Sequence, residues 1–221
     1  AGLARSRADP ARTLPGIHPM IPIILASASP RRQALLAALG VEFDVITSEA
    51  DETTEGPSPA AIVQMNARAK RDEVARRFVG DAVIIAADTL VFLDEHVLPK
   101  PVDHAQACAM LRRLSGKTHD VVTGLAVLNT ATNAAAEEAE TTHVTFRKLD
   151  DAEIARFVQM VNPMDRAGAY TVDGPGSLLV ARYEGCYQNV LGFPMVCLDL
   201  LLRDINVHLF ERMHPARAQF L

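Results

Sequence analysis

Two adjacent arginines open a helical pattern in a position that ordinarily disfavours them. In LASASPRRQALLAALG, residues 25–40, Ser29 suits an N-cap, Pro30 the first helical position and Gly40 the residue just past the end. Arg31 and Arg32 then fall in the first turn, where the helix dipole disfavours each cation by about 0.3–1 kcal/mol. Both could snorkel to solvent. The placement becomes favourable if an anion binds at the strand–turn–helix junction, because backbone N–H groups, the dipole and two guanidiniums then converge on it.

A second position raises a matching question. VIIAADTLVFL sets Asp88, followed by Thr89, among nine apolar residues. A buried, unpaired carboxylate costs several kcal/mol, so Asp88 needs a cationic partner, a metal or a cavity. Either it forms a structural ion pair, or it faces a cleft as a general base or metal ligand. Lys100 in LPKPV stands between two prolines that stiffen its backbone, which suits a phosphate contact as well as surface charge. Lys70 in NARAKRDEV reads as an exposed helix lysine. Glu49, Asp51, Glu52 and Glu55 crowd one loop, either simply solvated or able to offer Mg²⁺ the hard oxygens it prefers. Gly168, Gly174, Gly176, Gly185 and Gly192, with Pro175 and Pro194, suit turns between core strands or around a ligand. The seven histidines show no metal-ligand spacing, and no GxGxxG, Walker A or GxSxG pattern occurs.

Positioning these groups falls to alternating strand and helix patterns, the mark of an α/β fold. Strands are expected at 21–27, 41–48, 82–93, 119–129, 142–149 and 177–183, with a hairpin turn at 94–96 and a loop at 131–141. Helices are expected at 30–39, from Pro59 to about Phe78 with Ile62, Met65, Ala69 and Val74 inward, after an Asp103/Gln106 capping box, at 151–161 after an Asp150/Glu153 box, and from Pro194. Residues 1–20 lack periodicity and read as a disordered extension, 21–213 as one domain and 214–221 as a frayed tail.

The net charge of −5 argues against a nucleic-acid binder, and no apolar run approaches the ~20 residues that span a bilayer. Three scattered cysteines (Cys108, Cys186, Cys197) form no disulfide framework and point to a reducing compartment.

Taken together, LASASPRRQALL, ADTLVFLDEHVLPKP, LRRLSGKTHDVVTG, DRAGAY and NVLGFPM resemble the Maf family of nucleotide pyrophosphatases, in the right order over residues 21–200. The resemblance implies an elongated mixed sheet flanked by helices, with two lobes around a cleft as in inosine-triphosphate pyrophosphatases. It implies a cytoplasmic homodimer that hydrolyses nucleoside triphosphates to monophosphate and pyrophosphate with a divalent cation, Mg²⁺ or Mn²⁺. The family's signature residues fall on Ser27, Ser29, Arg31 and Arg32, its essential acid on Glu52, its two lysines on Lys70 and Lys100, and its catalytic aspartate on Asp88; Glu52 and Asp88 would hold the metal. Arg31 and Thr89 match the branch acting on dTTP and UTP, as against the 7-methyl-GTP branch, which tends to carry tryptophan and SDQ there. The third specificity position carries Asp173, in TVDG, where the pyrimidine branch typically has glutamine, and Arg166 replaces a usual lysine. Asp lacks the amide donor of Gln, which leaves 7-methyl-GTP and CTP as alternatives. A nucleotide-binding regulator of septum formation and, without the resemblance, a metabolite phosphatase are the competing functions.

Overall fold

The computed structural model describes residues 20–219, so the expected extension, Met20 apart, lies outside the described residues. In chain order the elements are β1 (Ile23–Leu25), α1 (Pro30–Ala38), β2 (Asp44–Val45), α2 (Pro59–Arg77), β3 (Val83–Leu93), β4 (His96–Leu98), α3 (His104–Leu114), β5 (Thr118–Asn129), β6 (Ala134–Phe146), α4 (Asp151–Val161), β7 (Val180–Glu184), α5 (Tyr187–Val190), α6 (Met195–Asp204) and α7 (Leu209–Arg212). The strands form one mixed sheet in the order β2-β1-β3-β5-β6-β7, with β4 beside β3. This is the expected α/β architecture.

β3 is the spine, and its apolar run is apolar because both of its faces are covered. Ile84, Ala86, Leu90 and Phe92 pack on the α2 side, while Ile85 and Ala87 join Leu36 of α1 and Leu198 and Leu202 of α6. Alternation along the strand therefore turns Asp88 toward α2 and Thr89 the other way.

The edges of β3 create the cleft. β5 runs antiparallel along one edge from Val83 to Phe92. On the other edge β1 covers Val83–Ile85 and β4 covers Val91–Leu93, so no strand covers residues 86–90 between them. One lobe packs around β1, α1 and α6, the other around β4, α3 and α4. Asp88 and Thr89 sit in the gap.

A glycine sets how closely α2 approaches this strand pair. Gly124 of β5 lies in register with Asp88, and a Cβ there would stand 2.3 Å from the backbone oxygen of Val63. Only a residue without a side chain lets α2 lie directly on the sheet at that level.

Several local expectations change in three dimensions. The ladder of β2 is limited by β1, only three residues long, so two residues pair where 41–48 was expected. The Ala/Glu-rich stretch expected as a loop is strand, because β5 offers it a ladder from Thr118 to Asn129. Gly174–Leu178 winds into a 3-10 turn, which delays the last strand to Val180. On α2, Met65 is exposed and Ala69 only partly covered, and the buried face carries Asn66 and Lys70 beside Ile62 and Val74. Asp103 caps α3, but the side chain of Gln106 takes the N–H of Val102 instead of closing a box. The Asp150/Glu153 box forms as expected. Residues 214–219, expected to fray, run back along α1, where the N–H of Gln219 donates to Ala38 O at 2.9 Å.

Candidate active site

The gap in the sheet opens into a cleft of about 610 Å³. Its lining includes Arg31, Arg32, Lys70, Lys100 and Arg166 against Glu52, Asp88 and Asp165. Five cations against three carboxylates leave the cleft positive within a chain of net charge −5, an arrangement that draws in anions.

Asp88 is 4% exposed, and both of its oxygens are held from α2. Lys70 Nζ lies 2.7 Å from Asp88 Oδ1, and Asn66 Nδ2 donates to Oδ2 at 2.8 Å. The same Lys70 Nζ lies 2.7 Å from Glu52 Oε1. One buried ammonium thus bridges two carboxylates from different elements. The burial that Asp88 had to justify is met by this pair and this amide.

Arg32 answers the question posed by its helix position. Its guanidinium is buried, with Nε donating to Gly192 O at 2.8 Å, Nη1 to Ser27 Oγ at 3.1 Å and Nη2 to Thr89 Oγ1 at 2.9 Å. Burial pulls its pKa down, and the fields of Asp88 and Glu52 partly oppose this. All three acceptors are neutral, so the charge itself is not cancelled by direct contact. A guanidinium has five N–H donors, and one on each Nη is left over. Gly192 adopts φ +94°, and a Cβ there would stand 3.2 Å from Thr89 Oγ1, so glycine suits both the turn and the fit.

Arg31 is half-buried at the cleft wall. Burial and the like charge of Arg166 lower its pKa, while Asp165 and Asp173 raise it. Of the other expected residues, Ser27, Ser29, Thr89 and the exposed Lys100 line the cleft. Asp173 does not line it. Its carboxylate accepts from the hydroxyl of Thr171 and stands 4.0 Å from Arg166 Nη1, and these contacts, with the field of Arg31, outweigh desolvation to hold its pKa low. Glu49, Asp51 and Glu55 are exposed and stand outside the lining.

Glu52 is half exposed, and no hydrogen bond reaches its Oε2 among the described residues. Two carboxylates with spare lone pairs match what Mg²⁺ takes from a protein when phosphates and water supply its other ligands. The donor set therefore fits such an ion. Among the described residues no group of three or more His, Cys, Asp or Glu is arranged to hold a metal ion, so nothing here resembles an all-protein metal cage.

Sequence reasoning passed over Asn66. The available signal was its spacing: Asn66 and Lys70, four apart, fall on one face of α2, the face that Ile62 and Val74 also occupy.

A family model described as Maf-like protein matches residues 22–205. A dTTP/UTP pyrophosphatase of Pelotomaculum thermopropionicum is 43% identical over 185 residues, covering 83% of this chain and 96% of that protein. A dTTP/UTP pyrophosphatase of Alkaliphilus oremlandii is 43% identical over 190 residues, covering 84% and 98%. One from Caldicellulosiruptor saccharolyticus is 37% identical over 193 residues, covering 86% and 97%. Among solved structures, the Staphylococcus aureus Ham1 protein overlaps partially, with a TM-score of 0.40, 14% identity and coverage of 56% of this chain and 71% of that one.

Proposed function

This chain belongs to the Maf-like family, and from that premise we propose that it hydrolyses dTTP and UTP to the nucleoside monophosphate and pyrophosphate, clearing these or related modified nucleotides from the cytoplasmic pool. The observation that carries the reading is the Lys70 ammonium bridging Asp88 and Glu52 in a positive cleft beside the uncancelled charge of Arg32.

The triphosphate enters with its oxygens toward Arg31, Arg32, Lys70 and Lys100, with Ser27 and Ser29 at the same wall. The two remaining Nη hydrogens of Arg32 donate to phosphate oxygens, and the fork is already aimed because three acceptors hold it. Asp88 orients a water and accepts its proton as the water oxygen bonds to the α-phosphorus. The bond from that phosphorus to the oxygen bridging it to the β-phosphorus breaks, and pyrophosphate leaves with the electron pair. Glu52 and Asp88 would hold a divalent cation, Mg²⁺ or Mn²⁺, which when bound would supply Lewis-acid neutralisation of the polyphosphate. Positioning and charge stabilisation carry the rate.

Arg31 and Thr89 select the pyrimidine base, and the relatives named dTTP/UTP pyrophosphatases support that choice. Asp173, set behind Arg166 and Thr171, acts on the base through those two neighbours. We further propose that the protein works as a homodimer, which light scattering measures.

The test is a nucleotide panel with Mg²⁺ or Mn²⁺, scoring pyrophosphate from dTTP, UTP, CTP and 7-methyl-GTP. dTTP and UTP should lead. A lead by CTP or 7-methyl-GTP would overturn the base assignment, orthophosphate in place of pyrophosphate would make the protein a phosphatase, and no product at all would leave a binder. Asp88→Asn should abolish turnover while the protein still unfolds cooperatively.

A further inference from the structure

We propose that Asn66 is the positioning residue that joins the two carboxylates of this site into one unit. The proposal rests on the functional reading above.

Asn66 lies one turn before Lys70 on α2 and is 2% exposed. Its amide is fully committed. Oδ1 accepts the N–H of Thr53 at 2.8 Å, and Nδ2 donates to Thr53 O at 2.9 Å and to Asp88 Oδ2 at 2.8 Å. An asparagine has two amide hydrogens, and both have acceptors here. A residue of this size must accept once and donate twice to make these contacts; aspartate lacks the donors and leucine lacks everything.

Two consequences follow. The first concerns Asp88. With Lys70 on Oδ1 and Asn66 on Oδ2, its carboxylate plane is fixed, and the remaining lone pairs keep one direction relative to the cleft. The second concerns Glu52. Residues 46–58 form neither helix nor strand, so the chain around Glu52 has no ladder to hold it. Asn66 grips both backbone groups of the very next residue, as a neighbouring strand would. Asn66 therefore ties the loop to α2 at the residue beside Glu52, where Glu73 and Arg77 hold it only farther upstream at Glu49 N–H and Thr47 O, and it ties α2 to β3. Asn66 touches neither phosphate nor cation; it acts through Glu52 and Asp88.

The experiment compares Asn66→Leu, Glu52→Gln and their double variant for pyrophosphate release from dTTP, with thermal unfolding of each. Asn66→Leu should lower kcat by about 10- to 100-fold, the scale of a small misplacement at a reacting centre. KM for the nucleotide should stay within about threefold, because Arg32 and Lys100 are untouched. The double variant should be no slower than the slower single variant, since both changes disable the same group. Asn129→Leu, which removes a buried amide hydrogen bond to Ile205 at the far end of β5, should leave kcat unchanged.

If Asn66→Leu lacks a cooperative transition, Asn66→Asp carries the same measurement. It keeps the size and the acceptor for Thr53 but loses both donors. Retained kcat, a KM that rises in step with a kcat loss, or losses that multiply in the double variant would overturn the proposal while leaving the functional reading intact. A wild-type protein that releases no pyrophosphate would overturn both.

Discussion

Asp88 and Gly124 face each other across β3 and β5, and the missing side chain of one determines the surroundings of the other. Because the backbone of Val63 occupies the place of a Gly124 Cβ, α2 lies low enough for Asn66 and Lys70 to reach Asp88. Gly124→Ala must lift or shift α2. Overpacking of this kind costs about 1–3 kcal/mol, which for a chain of this size lowers Tm by several degrees. Turnover should fall more than stability does, because the site depends on that approach. Calorimetry beside pyrophosphate release decides it; wild-type kcat in a stably folded Gly124→Ala protein would show that the contact does not govern the site.

Arg31 and Arg32 share a helix turn but have different work. Arg32 spends three donors on Gly192, Ser27 and Thr89, so Arg32→Lys, with a point charge in place of a fork, should cost about 1–3 kcal/mol of stability along with activity. Arg31→Ala should leave Tm nearly unchanged and raise KM for the nucleotide. Denaturant titration and Michaelis kinetics on both variants make the comparison, and equal loss of stability in the two would refute the division.

Lys70 occupies the space that a cation between Glu52 and Asp88 would need. In nucleotide-free protein the ammonium and a divalent ion compete for two carboxylates, each 2.7 Å from Nζ. Lys70→Met should therefore bind Mn²⁺ at least about tenfold more tightly without nucleotide, a modest demand given Coulomb energies at such distances. Electron paramagnetic resonance titration of Mn²⁺ reads this directly. Unchanged affinity would mean that the ammonium is no competitor.

His119 makes the fold acid-sensitive. It is 2% exposed, edge-on to Phe146 and Tyr170, with Nε2 at 2.7 Å from the Tyr170 hydroxyl. Burial drives its pKa from the ordinary 6.5 of histidine down to about 4, against a small opposing pull from Asp120. The unfolded chain takes up this proton below pH 6.5 and the folded chain does not until about pH 4, so stability falls as pH drops through that window. Between pH 7 and pH 5 the loss from this one group is about 2 kcal/mol. Urea unfolding at both pH values should show that His119→Gln loses correspondingly less. An equal loss in the two proteins would place the acid sensitivity elsewhere.

Features that a few consecutive residues settle among themselves could be read directly from the sequence. Ser29 and Pro30 start α1, Ser58 and Pro59 start α2, and Asp150 with Glu153 caps α4, because a cap needs only its own turn. The buried run of β3 and the anomaly of Asp88 within it were equally plain, since a charge among nine apolar residues is costly wherever it lies.

Tertiary structure alone decided what met that charge. Lys70 has the local sequence of a surface lysine, and Asn66 offers only its spacing of four from Lys70; both are buried because Gly124, far along the chain, yields the space for their helix. The Ala/Glu-rich stretch became β6 because β5 needed a neighbour, and Asp173 stands outside the cleft lining with its carboxylate on the Thr171 hydroxyl and near the Arg166 guanidinium. Hydrogen-bond caps and apolar runs are local, whereas burial and ion pairing depend on which distant backbone comes close. A single sequence states the first and leaves the second to packing.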